Sequence, residues 1–158
     1  MFGLFKSPQF FDSDLGDLRR SRGLWRGSVE LAGAVIPLAL SGSREAPDPT
    51  ALELARSARH LIQVARPYIE AAVFEHIQPY VEAIALDELP APAQPVPTVV
   101  EPSEVWPYIS FRYVAVTPIS GSLVTEFGIA IPWDEEHTLG ARFSDRRLLE
   151  LCGSVLPP

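Results

Sequence analysis

Hydrophobic and polar positions alternate one by one near the start of the chain: Trp25, Gly27, Val29 and Leu31 interleave with Arg26, Ser28 and Glu30. A period of two is the signature of a strand with one buried face. Ala32-Gly33-Ala34 predicts a turn, and residues 35–40 predict the return strand, with Ile36, Leu38 and Leu40 on one face. Pro37 has no N–H to donate, so this strand is expected at a sheet edge or with a bulge at that position. Residues 17–20 read as a preceding strand, closed by a turn at Ser21-Arg22-Gly23.

Between residues 49 and 86 the period lengthens to about 3.6. Leu54, Ala58, Leu61, Ile62, Ala65, Ile69, Ala72, Val73, Ile77, Tyr80, Val81 and Ile84 fall on one stripe. Asp48 suits an N-cap and Pro49 a first turn. Pro67 removes an intrahelical donor and crowds the preceding turn, which predicts a break or kink near Arg66. Residues 87–104 lose all periodicity, and Pro90, Pro92, Pro95, Pro97 and Pro102 predict an extended, polyproline-like connection. The last third returns to strands: residues 108–117, apolar on both faces as in a central strand, then 123–131, 138–143 and 147–153. Ser120-Gly121-Ser122 and Ser144-Asp145-Arg146 supply two of the turns. Short turns imply antiparallel pairing. The expected fold is a single α+β domain over residues 1–158, an antiparallel sheet of about six or seven strands with a kinked helix or helical pair on one face.

Composition narrows the classes of function. With 158 residues, 47% hydrophobic and 21% charged, the chain has enough apolar material for one buried core and too little charge for a disordered protein. No apolar run approaches the ~20 residues of a membrane-spanning helix. Met1-Phe2-Gly3-Leu4-Phe5-Lys6-Ser7-Pro8 does not resemble a secretory leader. The single cysteine, Cys152, has no internal disulfide partner. A cytoplasmic location follows as the expectation.

Charge is unevenly spread. Residues 67–136 hold eleven acidic groups against Arg112 alone, a net of −10 within an overall −7. Such a segment repels phosphate backbones and attracts basic surfaces, which argues against nucleic acid and for a basic protein partner. Arg19, Arg20, Arg22 and Arg26 form a local exception that reads as a solvated hairpin.

Chemistry-bearing patterns are sparse. The three histidines, His60, His76 and His137, lack the spacing of a metal site. No phosphate-cradling glycine loop and no nucleophile elbow occurs. No cofactor is implied. Trp25 and Trp106 are expected in the core, and His76 partly buried on the helical stripe. The densest polar cluster is Asp134-Glu135-Glu136-His137, read as an exposed acidic loop beside Trp133. Trp133, Asp134, Glu135, Glu136 and His137 are therefore the candidate partner-binding residues, a charge field next to an aromatic anchor. Two other uses stay open: self-association through the helical stripe, giving a homo-oligomer, and metal-dependent hydrolysis at His137 with Glu135 or Glu136.

Leu24-Trp25-Arg26-Gly27-Ser28-Val29-Glu30-Leu31, the helical middle, Glu136-His137-Thr138-Leu139-Gly140 and Leu151-Cys152-Gly153-Ser154-Val155 together resemble a group of small, uncharacterised bacterial α+β proteins, a domain family of unknown function. The resemblance implies an opening strand with Trp-x-Gly and a terminal hairpin. For function it implies a role like that of immunity proteins, which neutralise secreted toxins. It brings no catalytic residues with it.

Overall fold

The computed structural model describes residues 6–158, so Met1 to Phe5 of the opening segment lie outside the described residues. Eight strands form one sheet in sequence order: β1 (Gln9–Asp12), β2 (Gly16–Ser21), β3 (Leu24–Leu31), β4 (Ala34–Leu40), β5 (Ser110–Ile119), β6 (Ser122–Ile131), β7 (Asp134–Ser144) and β8 (Arg147–Val155). The strand added to the expected six or seven is β1, whose four residues are too short to show a period. Arg22-Gly23, Ala32-Gly33 and Ser120-Gly121 all have positive φ, the backbone that two-residue hairpins require.

Every neighbouring pair is antiparallel except β4 and β5, which are parallel. The expectation of a wholly antiparallel sheet fails there for a topological reason. The chain leaves β4, crosses through both helices and re-enters beside it, and only such a crossover allows parallel neighbours. Pro37 is correspondingly not on an edge strand. Its strand pairs β3 throughout, but pairing with β5 spans only Leu38 to Leu40, so Pro37 sits in a stretch with a neighbour on one side.

Helix α1 (Pro49–Arg56) is capped by Asp48, whose Oδ1 accepts the N–H groups of Thr50 (2.8 Å) and Ala51 (3.1 Å). Helix α2 (Ala58–Ala85) follows after Ser57 alone. The chain thus breaks at Ser57, not near Arg66, and α2 continues through both Pro67 and Pro79. Both prolines are exposed, as are Gln63 and Glu75 one turn earlier, so the carbonyls that lose their donors face water. At 28 residues α2 is about 42 Å long.

Leu61, Ile62, Ala65, Ile69, Val73 and Ile77 form the buried stripe of α2 and meet Leu38, Leu40, Val114, Val116, Phe127, Ile129, Leu139 and Phe143 from the sheet in one core. Each large side chain contributes roughly 1.5–3 kcal/mol of burial. Trp25 is fully buried, as expected, and its Nε1 donates to Ser43 O at 3.0 Å. Beyond Ile77 the stripe loosens, and Tyr80 is 38% exposed.

The Pro-rich connection ends earlier than expected. Pro102–Tyr108 is a 3₁₀ helix started by a capping box between Glu101 and Glu104, with Val105 buried beneath it. Arg66 pins it to α2: the guanidinium lies 4.7 Å from the Trp106 ring centroid while Nε donates to the buried Glu70 at 2.7 Å.

Candidate functional site

The sequence-predicted cluster lies where β6 turns into β7. Pro132 and Trp133 form the turn, Ile131 pairs with Asp134, and the register slips between Ile129 and Ile131. Residues 134–137 are therefore the first residues of β7 and not a free loop. A slip of register at a strand end re-aims the side chains that follow it. Here it brings two of the candidates together: Asp134 Oδ1 accepts the backbone N–H of His137 at 3.2 Å and lies 2.8 Å from His137 Nδ1. His137 is thus engaged with Asp134, not with Glu135 or Glu136. Those two carboxylates are exposed and take part in no ion pair among the described residues.

Trp133 departs from the reading of a protruding anchor. It is only 5% exposed and packs edge-on against Tyr108, centroids 5.5 Å apart. It forms a wall instead. A groove of about 260 Å³ is lined by Tyr80 from α2, Pro92, Ala93 and Gln94 from the Pro-rich connection, and residues 132–137. A second hollow of about 440 Å³ adjoins the first, sharing Gln94, Pro132, Asp134, Glu135 and His137 with it and adding Ser110, Arg112 and Thr138. The turn and Gln94 of the Pro-rich connection border both concavities.

The surrounding field is negative for a reason visible along α2. Arg59, His60 and Arg66 occupy its first third, whereas Glu75 and Glu82 are exposed further on and Asp87 and Glu88 follow its end. The first turn holds no acidic residue and the last no basic one. This order opposes the helix dipole, which favours anions at the N-terminus and cations at the C-terminus by about 0.3–1 kcal/mol each. Stability alone would have arranged these charges the other way round.

A second polar cluster crosses the sheet on the face away from the helices. Register places Arg26, Ala39, Ala115, Glu126, Arg142 and Glu150 side by side on six successive strands. Tyr113 lies over Gly128, its hydroxyl donating to Glu126 Oε1 at 2.6 Å. Arg142 Nε donates to Glu126 Oε2 at 2.7 Å, and its Nη1 reaches Glu150 Oε1 at 3.0 Å. Burial, then the bond to Glu126, pushes the Tyr113 hydroxyl far above its usual range, while the Glu126 bond raises Arg142. Burial likewise raises the neighbouring Cys152 thiol, which keeps it in the less nucleophilic form. Glu126, Arg142 and Glu150 are satisfied by one another within the row, the pattern of a cross-strand pin. Arg26 reaches away from it, donating to the carbonyl of Pro158 at 2.7 Å.

The histidines stay apart. His60 is exposed beside the α1–α2 junction, and His76 is half-buried with Cε1 near Gly153. No group of three or more His, Cys, Asp or Glu suited to a metal ion occurs among the described residues. No helix among them is long and apolar enough to cross a membrane.

Sequence reasoning found the acidic end of β7 but missed its surroundings. Tyr80 carried the signal of a core position, and Pro92 and Gln94 that of a spacer. The Tyr113–Glu126–Arg142 row depends on cross-strand register, which no local pattern reveals. Residues 15–154 match a protein family described as Domain of unknown function (DUF6985). No curated protein and no solved structure matches the chain significantly.

Proposed function

The chain belongs to the DUF6985 family, a domain of unknown function, and on that premise we propose that it is a protein-binding domain whose acidic surface covers a basic partner, as an immunity-type protein does. The carrying observation is the set of exposed carboxylates without an ion-pair partner among the described residues: Glu135 and Glu136 at the β6–β7 turn, and Glu82, Asp87 and Glu88 at the C-terminal end of α2, where the helix dipole disfavours them. Charge kept against local stability is expected where it serves encounter with something outside the fold. The same groove unites Tyr80, Trp133, Glu135 and Glu136, the mixture of aromatic and charged groups that recognises protein surfaces. Cofactors and nucleic acid have no place in this reading, and Glu135 and Glu136 serve recognition, not hydrolysis.

The test is kinetic. A partner isolated from the native source on the immobilised chain is rebound at several ionic strengths. The on-rate should fall steeply with salt, and the E135K/E136K double variant should slow it by roughly tenfold or more at low salt. An on-rate indifferent to both salt and charge reversal overturns the proposal. The pairing of His137 with Asp134 supports one other reading, acid–base chemistry. That reading requires a hydrolytic activity that H137Q abolishes.

A further inference from the structure

Two irregularities of the sheet fall at one place. On β5, Phe111 faces Ile129 and Tyr113 faces Gly128, so Arg112 has no partner residue on β6. On β7, Asp134 faces Ile131 and Leu139 faces Ile129, so residues 135–138 stand opposite Ala130 alone. Bulges re-aim the side chains they carry and gather beside binding sites. Both of these border the hollow of about 440 Å³, whose lining includes Arg112, Glu135 and His137 with the hydroxyl residues Ser110 and Thr138. That volume is in the range of small-molecule sites.

The charges around the hollow differ in what they are committed to. Asp134 and His137 hold each other, Oδ1 to Nδ1 at 2.8 Å. Arg112 and Glu135 are both exposed, and neither takes part in an ion pair among the described residues. Arg112 is the one cation of residues 67–136, yet it does not close on the carboxylate that lines the same hollow. Glu136 is not part of this lining, so one uncommitted cation and one uncommitted anion border it. A simple anion here would meet Glu135 and Asp134, and a simple cation would meet Arg112. A zwitterion answers both charges at once. Ala130 and Pro132, both half-buried, add apolar wall.

We infer that the hollow binds a free α-amino acid with an apolar side chain. The ligand's carboxylate takes the planar fork of Arg112, which meets a carboxylate through two parallel hydrogen bonds. Its ammonium pairs with Glu135, and its side chain rests against Ala130 and Pro132. This goes beyond the acidic-surface reading and does not rest on it, because it needs one cation beside one anion and not a negative field.

The test titrates the full chain, ¹⁵N-labelled and at low ionic strength, with three probes that share one side chain. They are L-leucine, N-acetyl-L-leucine, which lacks the ammonium, and L-leucinamide, which lacks the carboxylate. L-leucine should shift the amide resonances of residues 110–112 and 134–138 saturably. It should bind roughly tenfold more tightly than either blocked form, since each of them gives up a charge-assisted pair. R112Q should erase the preference over leucinamide and keep that over N-acetyl-leucine, and E135Q should do the reverse. Both positions are exposed and unpaired, so the variants keep the fold. No saturable shift with L-leucine at tens of millimolar, or shifts centred elsewhere, overturns the inference. So does N-acetyl-leucine binding as well as leucine, which marks a plain carboxylate site, or leucinamide binding as well or better, which marks attraction to negative charge alone. A variant that erases both preferences together overturns it too, because the two charges would then not be read separately.

Discussion

Replacing Arg142 by Met keeps the aliphatic stem and removes the cation that faces Glu126. The Glu126 side chain is 11% exposed and that of Arg142 24%. The carboxylate then retains the Tyr113 hydroxyl at 2.6 Å and loses the Arg142 Nε at 2.7 Å. Breaking a fully buried pair from one side costs about 3–5 kcal/mol, because the remaining charge stays desolvated. Partial exposure of Arg142 lets water take some of that place, so R142M should lose about 2–3 kcal/mol. Urea unfolding at pH 7, followed by tryptophan fluorescence and circular dichroism, measures it. With an m-value of about 2 kcal/mol/M the midpoint falls by about 1–1.5 M at unchanged m. Adding Glu126→Gln removes the orphaned charge, so the double variant should be no less stable than R142M and the two losses should fail to add by about 1 kcal/mol or more. A loss below about 0.5 kcal/mol for R142M, or strict additivity, would refute the reasoning, since either means that solvent already satisfies the carboxylate.

Three further outcomes follow from the same geometry. A Cβ on Gly128 would lie 2.3 Å from Tyr113 Cε1, so G128A must displace the ring and its bond to Glu126, at about 2–4 kcal/mol. G153A, whose Cβ would meet only His76 Cε1 at 3.3 Å, should cost less than about 1 kcal/mol; equal shifts in Tm for the two would contradict this account. Pro67 is exposed within α2, so P67A should restore a helical bond and raise stability by about 1–2 kcal/mol after allowing for the looser unfolded chain; a lower Tm would show that the proline relieves a packing conflict. The Arg56 side chain, bonded to Asp12, together with the N–H groups of Asp14 and Leu15, holds the Asp12 carboxyl from its usual 3.8 down to about 2. This stability is therefore present above about pH 4 and drains away as pH falls through about 2. D12N should flatten that acid limb of the stability profile, and an unaltered limb would show that other carboxylates carry it.

How much of this was legible in the chain depends on the range of the interaction behind each feature. The β3–β4 hairpin, the Asp48 cap and the apolar face of α2 follow from neighbours within a few residues, and alternation or capping chemistry names them directly. The break at Ser57 was not legible. The strongest local breaker is Pro67, yet its cost depends on whether the freed carbonyl reaches water, and that is decided by which face of α2 packs on the sheet. The 3₁₀ helix Pro102–Tyr108 hid within a proline-rich stretch because Val105 is buried in the common core and Trp106 stacks on Arg66 of α2, both far away along the chain.

The same division holds for the candidate site. Composition by itself determined that residues 67–136 are acidic and that Asp134 to His137 concentrate charge, because charge is a property of residues and needs no fold. Local order alone set the two periodicities, and with them an α+β class. Tertiary structure decided everything that requires distant residues to share a place. It buried Trp133, brought Tyr80 and Pro92 to the wall of one groove, and aligned Tyr113, Glu126 and Arg142 across three strands. Register and crossover direction emerge only when whole faces are buried together, and a side chain's exposure is settled by what packs on it, not by its identity.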